Sequence, residues 1–193
     1  MKPGTVTAVI CLLWTSLATC AQAEDEPQLS HDGQLEVNGS LHHAPCVLDM
    51  SSAYQTVELN NVSRSQLQRP GDSAAPVALQ LRVLDCRRVA GSLTNERTGR
   101  LVWSPYEPVL SVAFLGPADA DDPRLIKVQG ITGMGLRLTD PLGRDVRLGD
   151  HGAPLFLAPG RDTLTWQIQP TRTSAPLTNG AFRATVDFRL TYD

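Results

Sequence analysis

Near its C-terminal end the chain alternates apolar and polar side chains: Phe182, Ala184, Val186, Phe188, Leu190 and Tyr192 are interleaved with Arg183, Thr185, Asp187, Arg189 and Thr191. A period of two puts each set on its own side of an extended chain, so the spacing predicts one long strand with a single buried face over residues 182–192. Val77, Leu79, Leu81 and Val83 alternate with Ala78, Gln80 and Arg82 in the same way, and that strand leads directly to Cys86. Shorter strands are predicted at 55–59, 109–115, 125–128, 135–138, 145–148, 155–157 and 163–169. Turn signals separate them: Arg69-Pro70-Gly71-Asp72, Gly116-Pro117, Asp140-Pro141-Leu142-Gly143 and Ala158-Pro159-Gly160. Residues 62–68 have room for a helical turn and no more. Short strands at this spacing, with no internal repeat and no boundary after the first segment, predict an all-β sandwich in one domain.

The amino-terminal segment breaks this pattern and sets the compartment. Lys2 precedes a mostly apolar run from Thr7 to Leu17, and Ala21-Gln22-Ala23 puts small residues at the −3 and −1 positions of a signal-peptidase site. Residues 1–23 are therefore read as a signal peptide, with a mature chain starting at Glu24. Leu17-Ala18-Thr19-Cys20 offers a rival lipoprotein-type cut, although Thr before the Cys is unusual there. The apolar run is too short for a membrane span, and no later stretch reaches the required length of about 18 residues.

Export decides the cysteine chemistry. Cleavage removes Cys11 and Cys20 and leaves Cys46 and Cys86, which in an oxidising compartment have one connectivity available. A metal site at His42, His43 and Cys46 is disfavoured, because adjacent His side chains on a strand point to opposite faces. With 17 basic against 20 acidic residues and a net charge of −3, there is no field to collect the phosphates of a nucleic acid.

Catalytic constellations are weak throughout. Gly71-Asp72-Ser73 resembles a nucleophile turn, yet Ala74-Ala75 follows where hydrolases keep glycines, so turn chemistry is the better reading. The glycine-rich Gly130-Ile131-Thr132-Gly133-Met134-Gly135 leads into a strand, which makes it a bend or bulge and not a phosphate cradle. Asp119, Asp121 and Asp122 lack the later Glu and the turn Gly of a calcium loop, and His151 beside Asp150 has no nucleophile near it in sequence. No cofactor, metal or catalytic residue is expected.

Ahead of the first cysteine, Leu35, Val37, Gly39 and Leu41 alternate with Glu36, Asn38 and Ser40. Taken alone, this is an additional first strand of the same sandwich. The longer run Gly33-Gln-Leu-Glu-Val-Asn-Gly-Ser-Leu-His-His-Ala-Pro-Cys46, continued by Val47-Leu-Asp-Met and Tyr54-Gln-Thr-Val-Glu-Leu59, resembles the opening of type 1 and P-type fimbrial subunits of the chaperone-usher pathway. Leu79-Gln-Leu-Arg-Val-Leu-Asp-Cys86, Val112-Ala-Phe-Leu-Gly116, Gly135-Leu-Arg-Leu138 and Gly180-Ala-Phe-Arg-Ala-Thr-Val-Asp-Phe-Arg-Leu-Thr-Tyr-Asp193 continue the match in order over nearly the whole mature chain.

The resemblance implies an incomplete immunoglobulin-like sandwich that lacks its final strand and leaves a hydrophobic groove, completed by a strand from another protein. Residues 24–41 would be the donor-strand extension, with Leu35, Val37 and Leu41 as groove-filling knobs and Gly39 where only a residue without a side chain fits; residues 42–193 would be the pilin domain. Phe182, Val186, Phe188, Leu190 and Tyr192 would line the acceptor groove, and the Asp193 carboxylate would reach basic residues in a chaperone cleft. The implied partners are a periplasmic pilus chaperone, an outer-membrane usher and neighbouring pilins, and the implied destination is the fimbrium at the cell surface. Two departures from shaft subunits, the long polar stretch before Leu35 and the insertion of residues 87–108 with Trp103 and Tyr106, together with Leu48-Asp-Met50 and Tyr54-Gln55, resemble the minor subunits that terminate and anchor P-type rods. The competing function classes are a glycan-binding tip adhesin, for which the chain leaves no room for a separate lectin domain, and an unrelated exported β-sandwich hydrolase or calcium-binding module.

Overall fold

The computed structural model describes residues 36, 38, 39, 43–95 and 97–193. The signal peptide predicted at 1–23 and the predicted knobs Leu35, Val37 and Leu41 lie outside the described residues. Leu41–Asp193 is a compact unit, built from strands β1 (Val47–Leu48), β2 (Val77–Cys86), β3 (Gly91–Thr94), β4 (Leu101–Ser104), β5 (Val109–Leu115), β6 (Ile126–Lys127), β7 (Met134–Thr139), β8 (Leu155–Phe156), β9 (Gly160–Arg172) and β10 (Asp187–Tyr192). One turn of helix, α1 (Met50–Ala53), and a 3-10 turn (Arg64–Gln66) complete the elements, the latter inside the predicted helical-turn window. The fold is all-β, as the alternation predicts.

Among the described residues, one sheet runs in the order β1-β2-β9-β7-β6 and the other β10-β5-β8, with β3 and β4 pairing only with each other. The inward faces of the two large sheets meet in one core. Trp166 of β9 packs edge-on against Phe114 of β5 with ring centroids 5.6 Å apart, and Phe114 meets Phe188 of β10 at 6.4 Å. Leu81, Val83, Leu136, Leu138 and Leu157 fill the space around them and are buried. Cys46 and Cys86 are bridged, tying the residue before β1 to the end of β2, the strand that β1 pairs with. Near that junction the ladder between β2 and β9 shifts register, and Asp85 sits in the left-handed region at φ 53°, a conformation that a short polar side chain tolerates better than most.

Four sequence expectations are corrected by the structure. Residues 55–59 keep the alternation, with Val57 and Leu59 half-buried and Thr56 and Glu58 exposed, but form no strand. Side chains have taken over that edge of β2. The Ser52 hydroxyl accepts from Arg82 N at 3.0 Å, and the Gln55 amide donates to the Gln80 carbonyl at 2.8 Å. Likewise, β1 stops after two residues because the Asp49 carboxylate accepts from Ser51 N at 2.9 Å and starts α1. Residues 145–148 contribute a single bridge, Asp145 to Thr139, before the chain turns away at Gly149 (φ 85°).

The long C-terminal strand is also shorter than predicted. Its partner β5 ends at Gly116-Pro117, where proline has no N–H to extend the ladder, so residues 182–186 retain only the bridge between Arg183 and Gln129. Finally, the 87–108 insertion, for which no strand is predicted, contains a strand pair, β3 and β4. The Asn95 side chain accepts from Arg97 N and Thr98 N at 3.0 and 3.1 Å, and Gly99 supplies the positive φ of 65° that returns the chain.

Candidate strand-acceptor site

β10 is the last strand of its sheet. One edge pairs with β5 in register from Asp187 opposite Leu115 to Tyr192 opposite Leu110. Among the described residues, no backbone hydrogen bond reaches the other edge. The far side of β5 is treated differently, since β8 pairs with Val109 and Leu110 and Gly149 N donates to the Phe114 carbonyl at 2.8 Å. Gly152 lies against the Val112 backbone there so closely that an added Cβ would stand 2.0 Å from its carbonyl oxygen. One edge of this sheet is thus sealed and the other is open.

The side chains along the open edge are correspondingly incomplete in their burial. Val109, Leu110, Val112 and Phe114 of β5 are at most 3% exposed. Phe182, Ala184, Val186, Phe188, Leu190 and Tyr192 pack against the same core yet remain only half-buried, as do Leu59, Val62 and Ile131. An apolar row beside a row of unpaired backbone groups is what an added strand would cover, supplying hydrogen bonds on one side and knobs on the other. Burial raises the Tyr192 phenol above its ordinary value. Asp193 is exposed, and its N–H donates to the Val109 carbonyl at 3.2 Å.

At the amino-terminal end of this row lies a shallow, open depression of about 390 Å³ lined by Gln129, Gly130, Ala181, Phe182 and Arg183. Gly130 (φ 102°) permits it, because a Cβ there would stand 2.3 Å from the Ala181 carbonyl oxygen. At Gly133 (φ 80°) an added Cβ would stand 2.7 Å from the Leu177 backbone. The glycine-rich segment is therefore a bend that lets the 129–133 and 175–183 loops touch. Arg172 fixes the same loops, with Nη1 donating to the carbonyls of Gly133 at 2.8 Å, Ala175 at 2.5 Å and Thr173.

The structure brings five predicted groove residues, Phe182, Val186, Phe188, Leu190 and Tyr192, onto one face of one segment, although Phe182 and Val186 precede the paired strand. Of the predicted extension, Gly39 is exposed, and the Asn38 amide donates to the Glu36 carboxylate at 3.3 Å. The rejected catalytic motifs have structural uses. Asp72 accepts from Arg69 N at 2.7 Å to close its turn, Ser73 shares a hydrogen bond with Thr171 at 3.1 Å, and Asp119 accepts from Asp121 N at 3.0 Å. Sequence reasoning missed the depression beside Phe182, whose only signal was the pair Gly130 and Gly133.

A family model described as Fimbrial protein matches residues 35–193. The chain is 30% identical over 163 residues to the Fimbria A protein of Serratia marcescens, covering 83% of this chain and 84% of the relative. It is 27% identical over 164 residues to the F7-2 fimbrial protein of Escherichia coli, with coverages of 83% and 84%. Among solved structures, the P pilus rod subunit PapA is similar at 25% identity and a TM-score of 0.62, over 78% of this chain and all of that one. The subunit of a chaperone-usher pilus solved in connection with rod uncoiling is similar at 26% identity and a TM-score of 0.63, over 89% of this chain and all of that one. These likenesses make the fold an immunoglobulin-like sandwich of the chaperone-usher pilin kind and make its kin structural subunits of surface fimbriae, not enzymes. From its strand order, its open C-terminal edge and a family match over residues 35–193, the chain belongs to the Fimbrial protein family.

Proposed function

We propose that this protein is a structural pilus subunit that polymerises by strand exchange: the groove along β10 accepts an extended segment of a neighbour, and residues 24–41 are donated in turn, with Leu35, Val37 and Leu41 as knobs and Gly39 at the point of closest approach. The observation that carries the reading is the open edge of β10 with its half-buried apolar row. Before assembly, a periplasmic chaperone covers that row and an outer-membrane usher delivers the subunit to the fibre at the cell surface. The half-buried row along β10 favours a groove that accepts, because it leaves apolar side chains for an incoming strand to cover. A second reading, a terminating or anchoring subunit that only donates, is favoured by the β3–β4 insertion and the polar extension.

One experiment addresses both readings. The chaperone-bound protein is mixed with a synthetic donor peptide from another fimbrial subunit, and chaperone release is followed by gel shift. Release on the timescale of a control pilin supports the accepting subunit. No release while the control exchanges supports the terminator, and failure to copurify with any chaperone or pilin overturns strand exchange altogether. Gly39→Leu should leave the fold and chaperone complex intact while blocking insertion into a neighbour; fibres of normal length and quantity from this variant would remove the donor role.

A further inference from the structure

A second concavity lies apart from the acceptor edge, at the foot of the β3–β4 hairpin. It is an open dish of about 320 Å³ lined by Arg88, Ser104, Tyr106, Glu107 and Pro159. Its volume is at the lower end of small-molecule sites, which run from about 300 to 1,000 Å³. Tyr106 is 60% exposed, so its ring is offered to solvent and not spent on the core. Arg88 and Glu107 have no hydrogen-bond or ion-pair partner among the described residues. The Ser104 hydroxyl accepts weakly from Tyr106 N at 3.5 Å, which leaves its proton free to donate.

We infer that this dish binds a single pyranose unit carrying a carboxylate, at the end of an acidic glycan. A sugar ring has an apolar C–H face, which a tyrosine ring can cover, and a rim of hydroxyls that both donate and accept. The Glu107 carboxylate accepts hydrogen bonds from sugar hydroxyls, the Ser104 hydroxyl donates one, and Arg88 supplies the planar fork that a carboxylate fits. The dish is also rigid at its base. Gly91 packs so closely that an added Cβ would stand 2.4 Å from the Glu107 carbonyl oxygen, and Leu157 N donates to the Pro108 carbonyl at 2.9 Å. This site is independent of the β10 groove and stands or falls without it.

The test uses the full mature chain as purified, titrated by saturation-transfer NMR with sialyllactose, a glucuronic acid disaccharide and neutral lactose. At least one acidic sugar should bind about tenfold or more tighter than lactose, weakening as salt rises. Arg88→Met should lose about tenfold on the acidic sugar and nothing on lactose, Arg88→Lys should recover part of it, and Tyr106→Ala should remove binding of both. Trp103→Ala, on the other face of the ribbon, should bind as the parent does, and unchanged thermal midpoints establish that each variant is folded. Equal affinity for lactose and the acidic sugars, no binding of any probe, or indifference to Arg88→Met would overturn the assignment. So would association between copies that Tyr106→Ala abolishes while no sugar binds, which would make the dish a protein contact.

Discussion

Arg172 shares the two hydrogens of one guanidinium nitrogen among three carbonyls of two loops. Losing those bonds without water access costs about 1–3 kcal/mol. Arg172→Met should lower the urea midpoint by a corresponding amount and loosen the depression beside Phe182, seen as faster amide exchange at 130–133 and 175–182. Tyr192 gives a pH signature. Its phenol is raised above the ordinary value of 10.0 by burial, so the folded chain favours the neutral form. That contribution is complete below pH 10 and is lost as pH rises through the raised folded value. The parent should therefore lose stability on the alkaline side more steeply than Tyr192→Phe, measured as thermal midpoint against pH. Filling the groove with a donor peptide should move the onset further up, and equal slopes would show that the phenol is not desolvated. Asp122 and Asp145 act in the opposite direction. Arg124 and Arg137 hold their carboxyls below the usual range, so their share is present above about pH 4 and fades as pH falls. Both pairs are exposed enough that this share is small.

At the scale of elements, the ribbon formed by β3 and β4 pairs only with itself among the described residues, and Leu101 and Trp103 on one of its faces are 69% and 63% exposed. Trp103→Ser should accordingly shift the unfolding free energy by less than about 0.5 kcal/mol. Gly91→Val, at the foot of the same ribbon, collides with the backbone of Glu107 and with Val109 and should destabilise far more; urea denaturation of the two variants side by side measures the contrast. How well each element could be read from sequence follows from where its partners lie. β2, β5 and the β10 half of the C-terminal segment announce themselves, because one face of each is covered by the core and the period of two records it. Residues 55–59 carry the same period and yet join no backbone ladder among the described residues, since periodicity reports a buried face and not a hydrogen-bonded edge. The ribbon hid for the converse reason: with no face in the core, only Asn95 and Gly99 marked its turn. The groove row was legible residue by residue, but the depression at its end depends on two loops meeting across about 50 residues of chain, which a local pattern does not encode.

The unit Leu41–Asp193 is a sandwich whose three-stranded sheet has one sealed and one open edge, and a fibre of such units would be loaded along its length. The bridge between Cys46 and Cys86 then acquires a mechanical meaning. Tension arriving through the residues before Cys46 crosses the sulfurs directly into the end of β2, which is laddered to β9 from Val77 to Cys86. It bypasses the two-residue pairing of β1, the helical turn and the 55–59 stretch outside the ladders, none of which could bear much load. The weakest part of the domain is thereby short-circuited. Pulling single molecules by tags on both ends should show this as a difference in length: the loop of 40 residues stays hidden while the bridge holds and adds about 140 Å of contour when it is reduced or when Cys46→Ser removes it. The same variant should yield at lower force, since β1 then peels before β2 is engaged. A covalent link that equilibrium unfolding would score only as a stabiliser is, under tension, the route by which the strain reaches the part of the sheet able to carry it.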